Sequence, residues 1–190
     1  MRKLIAGMKI SVDGKMEGPE GTADWVEAWS EDYGLMPQID ACLLGAGMYP
    51  GYEQLWGSIA ADPRSGAGML GREVTKDEVE YAQWTQRTPH HVLSTTLDKV
   101  NWETAHLVRD VGELRSLKEQ PGGPVYVIGG ATLVSSLMNE GLIDELRLIV
   151  HPVILGGGKA LFAGVSGRRP VELVRSDTGR TGRIVLSYRI

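Results

Sequence analysis

Apolar and polar residues along this chain fall into stretches of two different periods. Leu4 to Val12 alternates with period two and stops at Asp13-Gly14, a turn dipeptide, so a strand opens the fold. Ile39 to Leu44 predicts a second strand, closed by Gly45-Ala46-Gly47. Between them, the acidic residues 15 to 38 carry Trp25, Trp29 and Tyr33 at four-residue spacing, which sets an aromatic stripe on one helical face. Residues 57 to 76 lose periodicity, gather Gly, Ala, Asp, Pro and Arg, and read as a long mobile loop. A helix is predicted over Thr75 to Gln86, then short strands over Pro89 to Thr95 and His106 to Arg109.

In the C-terminal half the pattern sharpens. Asp110 to Lys118 is an amphipathic helix: Asp110 and Glu113 have capping-box spacing, and Val111, Leu114 and Leu117 share a face. After the break Pro121-Gly122-Gly123-Pro124, Val125 to Phe162 runs as apolar strand, glycine pair, helix, second apolar strand and three more glycines. In that helix Leu133, Val134, Leu137 and Met138 form the buried side and Gly141 supplies the stop. Val171 to Arg175 and Arg183 to Arg189 alternate around a turn at Thr178 to Gly182, the pattern of a closing antiparallel pair. Strands alternating with helices and finished by a hairpin predict an α/β fold of three layers, a mostly parallel mixed sheet with helices on both faces and a C-terminal antiparallel hairpin.

Length and charge narrow the picture. With 190 residues, 42% of them hydrophobic, the chain is sized for a single domain spanning 1–190. A net charge of -4 and no Lys/Arg run longer than two argue against nucleic acid as a partner. The single Cys42 lies in an apolar run and reads as a buried structural thiol, so no disulfide or multi-cysteine metal site is expected. No apolar stretch reaches membrane-spanning length, and the basic N-terminus runs into Lys9 and Asp13 instead of a signal-type core, so a cytoplasmic protein is expected.

The glycines carry the chemistry. Gly129 and Gly130, between a buried strand and a helix, bare backbone N–H groups at a helix start where an anion is favoured, although a glycine pair also ends any strand tidily. Gly66, Gly68 and Gly71 spell GxGxxG, but Asp62-Pro63-Arg64-Ser65 stands where a dinucleotide fingerprint needs a strand. Gly45-Ala46-Gly47 follows a strand, yet Pro50 and Gly51 interrupt a Rossmann turn. Gly158-Lys159 is followed by Ala160, which leaves no hydroxyl for Mg²⁺ and excludes a Walker loop. His151 reads as a satisfied structural histidine, and His90 and His91 carry no discernible role.

Six segments together resemble the dihydrofolate reductase-like family, in particular the reductase domain of bacterial riboflavin biosynthesis. They are S-x-D-G at Ser11, Asp13 and Gly14; L-L-G at Leu43 to Gly45; V-L-S-T-T-L at Val92 to Leu97; L-K-E-Q-P-G-G at Leu117 to Gly123; V-I-G-G-A-T-L at Val127 to Leu133; and D-E-L-x-L-x-x-x-P-V-x-L-G-x-G at Asp144 to Gly158. The last two are the specific ones. The resemblance implies an NADPH-dependent reductase acting on a small heterocycle of pteridine, pyrimidine or riboflavin-precursor type, and a homodimer. It implies that the cofactor rests on Gly45, Ala46, Gly47 and Met48 and on Ile128, Gly129, Gly130, Ala131, Thr132 and Leu133, with Ser94, Thr95 and Thr96 toward the adenosine 2′-phosphate. This chain has Ala46 where many small members carry a phosphate-clamping arginine, and it lacks an acidic D-D-P segment after Met48.

The chemistry implied is hydride transfer to a polarised C=O or C=N. Asp13 is the first candidate for handling the proton or contacting substrate, against the plain reading of an Asp-Gly turn. Gly14 accompanies it in the substrate region, and Trp25, Trp29 and Tyr49 are candidates for stacking on a flat ring, with core packing as the alternative. Glu27 and Glu31, one helical turn apart, are further candidate acids, though a solvated face is the usual place for them. Two other readings stay open: a dinucleotide-binding or regulatory module without efficient chemistry, and a dimerisation module built on the apolar strand Leu146 to Leu155.

Overall fold

A computed structural model describes residues 1–26 and 34–190. Trp29, Tyr33, Glu27 and Glu31 therefore lie outside the described residues, and Trp25 sits in a turn. Eight strands form one sheet in the order β4-β3-β2-β5-β1-β6-β8-β7. β1 (Leu4–Ser11), β2 (Ala41–Gly45), β3 (His90–Leu93), β4 (Ala105–Val108), β5 (Val125–Val127) and β6 (Glu145–His151) run parallel. β7 (Glu172–Thr178) and β8 (Ile184–Arg189) close the sheet as the antiparallel hairpin the alternation predicts.

Alternation along each buried strand divides the core into two layers. Leu4, Ala6, Met8 and Ile10 of β1 meet Leu43 of β2, Val127 of β5 and the apolar faces of α4 (Val111–Glu119) and α5 (Ala131–Asn139). Ile5, Cys42, Leu44 and Tyr126 point the other way, into Tyr52, Trp56 and Ile59 of α1 (Tyr49–Ala61) and Tyr81, Ala82 and Trp84 of α3 (Lys76–Arg87). Strands buried on both faces have near-continuous apolar runs, because helices cover the sheet above and below. In α5 the buried residues include Leu133, Val134, Leu137 and Met138, and Gly141 follows the helix at φ +66°.

Most of residues 57 to 76 is helical and only 71 to 75 form a connection, which corrects the long loop expected there. α1 continues to Ala61, and α2 (Pro63–Leu70) follows after one residue. Pro50 does not break α1, because it lies in the first turn, where a missing N–H costs nothing. Asp62 caps α2 by accepting from the Arg64 N–H, and Pro63 begins it. Gly66 serves helix packing, since a Cβ there would collide with Ile59 of α1. The GxGxxG string thus lies in a helix, with Gly66 packed on α1 and Gly71 as its left-handed cap.

Candidate functional site

The C-terminal ends of β2 and β5 lie side by side, and the helices after them leave toward opposite faces, α1 to one layer and α5 to the other. Such a switch point opens a crevice beyond the strand ends, the place where open α/β sheets bind ligands. A cleft of about 560 Å³ occupies it.

One wall of the cleft is glycine. Gly45 and Gly47 come from the β2–α1 turn, Gly51 from the start of α1, and Gly129 and Gly130 from the β5–α5 turn. A Cβ at Gly47, Gly51 or Gly130 would meet nothing within 4 Å, so these positions leave a hollow that any larger residue would fill. At Gly129 a Cβ would come 2.7 Å from the Leu133 side chain, so that glycine serves the packing of strand end on helix.

Helix capping divides along the same line. α2, α3 and α4 begin outside the cleft wall, and their first turns are capped by the side chains of Asp62, Thr75 and Asp110. Neither α1 nor α5, the two helices that start at the cleft, has a side-chain cap. Their leading N–H groups carry partial positive charge suited to an anion. A glycine hollow flanked by two such termini fits the diphosphate of a dinucleotide.

The rest of the lining is largely aromatic. Tyr52 and Trp56 of α1, Tyr81 of α3 and Tyr126 of β5 form it together with Leu55 and Ile128. The rings interlock edge to face, Tyr52 with Trp56 at 6.2 Å and Trp56 with Tyr81 at 4.6 Å between centroids. Buried His90 stands behind Tyr52, its Nδ1 2.7 Å from the Thr88 carbonyl oxygen. Burial lowers its pKa to about 4, so the ring is neutral and donates from Nδ1. Gly7, Met8 and Lys9 of β1 complete the interior, and Met16, Glu17 and Lys159 add the remaining side.

Two sequence motifs meet there. The Asp13 carboxylate accepts from the Ser11 hydroxyl at 2.7 Å and from the Leu155 and Gly156 N–H groups at 3.1 and 2.9 Å. These bonds, led by Ser11, hold its pKa near 2. Met16 donates to the Lys159 carbonyl, Leu161 donates to that of Gly14, and Gly158, at φ +90°, has its missing Cβ against the Glu17 carbonyl oxygen. Only glycine allows that approach in that backbone conformation. The S-x-D-G turn and the glycine triplet are two halves of one clasp, which places Glu17 and Lys159 at the cleft.

Of the residues implied as cofactor-binding, Gly45, Gly47, Met48, Ile128, Gly129, Gly130, Thr132 and Leu133 line the cleft, and Ala46 and Ala131 do not. Ser94, Thr95 and Thr96 also lie outside its wall, and the Ser94 hydroxyl accepts from the Thr96 and Leu97 N–H groups of its own turn. Asp13, Gly14, Trp25 and Tyr49, implied for substrate, are likewise off the wall. Asp13 belongs to the clasp, where a carboxylate already ionised has no proton to give. Gly14 receives the Leu161 bond, and Trp25 packs edge-on against buried His151 at 5.1 Å. Tyr49 turns into a separate small core with Val92 and Ala105, where burial, helped by Glu53, raises its hydroxyl pKa to about 12. The sequence reading missed Tyr52 and Trp56, although Tyr49, Tyr52, Trp56 and Ile59 have the 3-4-3 spacing of one helical face.

The model of the RibD C-terminal domain family matches residues 2–185, and the chain belongs to that family. Its sheet is the dihydrofolate reductase-like one. The uncharacterized protein YyaP of Bacillus subtilis (strain 168) is 30% identical over 191 residues, 98% of this chain and 94% of the relative. A putative riboflavin biosynthesis protein from Shewanella sp. PV-4 superposes with a TM-score of 0.72 at 20% identity, covering 98% of both chains. Dihydrofolate reductase from Enterococcus faecalis, complexed with NADP(H) and RAB-propyl, superposes with a TM-score of 0.57 at 14% identity, over 98% of this chain and 95% of that one. At those identities the two structures speak for the fold.

Proposed function

We propose that this chain is an NADPH-dependent reductase of small flat heterocycles. The observation that carries the reading is the glycine-lined hollow at the switch point, flanked by the two helices without side-chain caps. A reduced nicotinamide dinucleotide, when bound, supplies a hydride to a polarised C=O or C=N carbon. The chain's own contribution is to hold and orient. Gly47, Gly130 and the N–H groups of Thr132 and Leu133 cradle the diphosphate, and Leu133 wedges between the two turns, its Cβ 3.6 Å from where one at Gly45 would lie.

Thr95 and Thr96, exposed after β3, lie next to the β2 turn, to which they are tied through the Ala46 N–H bond to the Leu93 carbonyl. With Ser94 occupied internally and no arginine at position 46, they are the hydroxyls available for a 2′-phosphate, and Arg109, which donates to the Ser94 and Leu97 carbonyls, is the neighbouring cation. The aromatic wall excludes water from the reacting ring, which strengthens every polar contact beside it. The same reading includes a cytoplasmic homodimer, testable by light scattering.

Titration with NADPH tests the reading: saturable binding with quenching of tryptophan fluorescence is expected, because Trp56 lines the cleft. A chain indifferent to millimolar NADPH and NADP⁺ would overturn it. The position of Asp13 in the clasp favours one alternative, a dinucleotide-binding module without efficient chemistry, which would bind the cofactor yet oxidise none of it across a heterocycle panel.

A further inference from the structure

Resting on the reductase reading, we propose that the hydroxyl pair of Tyr52 and Tyr81 is a hydrogen-bond donor site that selects flat substrates bearing a carbonyl oxygen or ring nitrogen. The two oxygens, from helices α1 and α3, are 3.1 Å apart. Both side chains line the cleft while only 6% and 4% exposed. Two hydroxyls bring two protons, and their mutual bond uses one. Among the described residues no acceptor takes the other.

A buried O–H without an acceptor is costly, and natural cores seldom leave one unless a ligand completes it. Burial holds both hydroxyls well above the ordinary tyrosine range, so they remain neutral donors at any physiological pH. The neighbours decide the shape of the partner. Trp56 and Leu55 are flat or apolar surfaces that suit a ring face. With phosphate on the glycines, the aromatic lining that carries the tyrosine pair is left for the ring to be reduced.

Isothermal titration calorimetry on the full chain, with and without NADP⁺, tests this with two bicyclic probes. Quinazoline-2,4-dione carries carbonyl acceptors; indole carries a donor alone. The wild type is expected to prefer the dione by about tenfold or more, the value of one buried hydrogen bond. Tyr52→Phe or Tyr81→Phe alone leaves one hydroxyl with its proton and retains most of the preference. The double variant, which removes both partners and keeps the shape, loses it while binding NADP⁺ as before.

Equal affinity of the wild type for the two probes, absence of dione binding, or a folded double variant that keeps the preference would each overturn the proposal. The wild-type comparison stands whether or not the double variant folds. Should the chain ignore NADP⁺ but show the tyrosine-dependent preference, the cofactor reading fails and the donor site survives.

Discussion

The two walls of the cleft are built on opposite principles. The glycine wall is made by leaving side chains out: Gly47, Gly51 and Gly130 face open space, and two helices begin there without caps. The aromatic wall is made by crowding them in: Tyr52, Trp56 and Tyr81 interlock over buried His90. A wall of backbone recognises groups common to a cofactor class, since every peptide offers the same N–H. A wall of side chains can be specific, because each ring and hydroxyl is a separate choice. Under the proposed function, the difference gives the first wall to the cofactor and the second to the substrate.

The contrast breaks most visibly at Gly130. Its φ and ψ of -77° and 173° suit any residue, so Gly130→Val is expected to fold normally while filling the hollow. Affinity for NADPH should fall on the order of a thousandfold, about 4 kcal/mol, in a fluorescence titration. Unchanged affinity would mean that no ligand uses that wall. Gly158→Ala acts on the clasp instead. The new Cβ meets the Glu17 carbonyl oxygen at a left-handed backbone position, and denaturant unfolding should show a loss of about 3 kcal/mol.

Behind the aromatic wall, His90 makes stability depend on pH. Its folded pKa, near 4, is below the ordinary 6.5, so the unfolded chain binds a proton that the folded one refuses. The stabilisation is fully present above about pH 6.5 and is lost as pH falls toward 4, amounting to roughly 3 kcal/mol. His91, lowered in the same direction mainly by burial, adds to it. His90→Phe should flatten that part of the curve in melts at several pH values. A wild-type curve already flat between pH 4 and 7 would show that His90 is hydrated or charged in the fold.

The smallest effect is expected at Asp13. With a pKa near 2 and three donors around it, the carboxylate ties the clasp above pH 4 and releases it only as pH falls toward 2. Asp13→Asn should therefore leave kcat within about threefold and the acid limb of the pH profile unmoved. What should change is proteolysis at 155–158, which limited digestion reads. A collapse of kcat with cofactor affinity intact would return Asp13 to the reacting centre.

Periodicity exposed much of this fold before any coordinates. Strand β1, the face of α5 and the closing hairpin follow from local patterns, and the structure has all three, although β1 is buried on both faces and not on one. Helices α1 and α2 were hidden because Pro50-Gly51 and Gly66-Gly68 resemble breaks. Their permission to be helical comes from the position of Pro50 in a first turn and from Ile59 pressing on Gly66. Four glycines of that wall, Gly45, Gly47, Gly129 and Gly130, were legible because they sit together in two turns, whereas Gly51 was not. The aromatic wall was not, since Tyr52, Tyr81 and Tyr126 come from three separate elements.

What this amino-acid order determined by itself is the succession of strands, the helices from α3 onward, the two glycine turns and the family to which they belong, and the structural part of that list rests on short-range backbone preference and burial period. Which aromatic side chains join the glycine turns at the cleft was decided by the tertiary structure alone. Asp13 and Tyr49 carry the right chemistry but were turned into a clasp and a second core, whereas Tyr52 and Tyr81, 29 positions apart, were brought to hydrogen-bonding distance. Side-chain direction at a switch point depends on how two layers of helices close over a shared sheet, and that closure is a long-range packing problem no local spacing encodes.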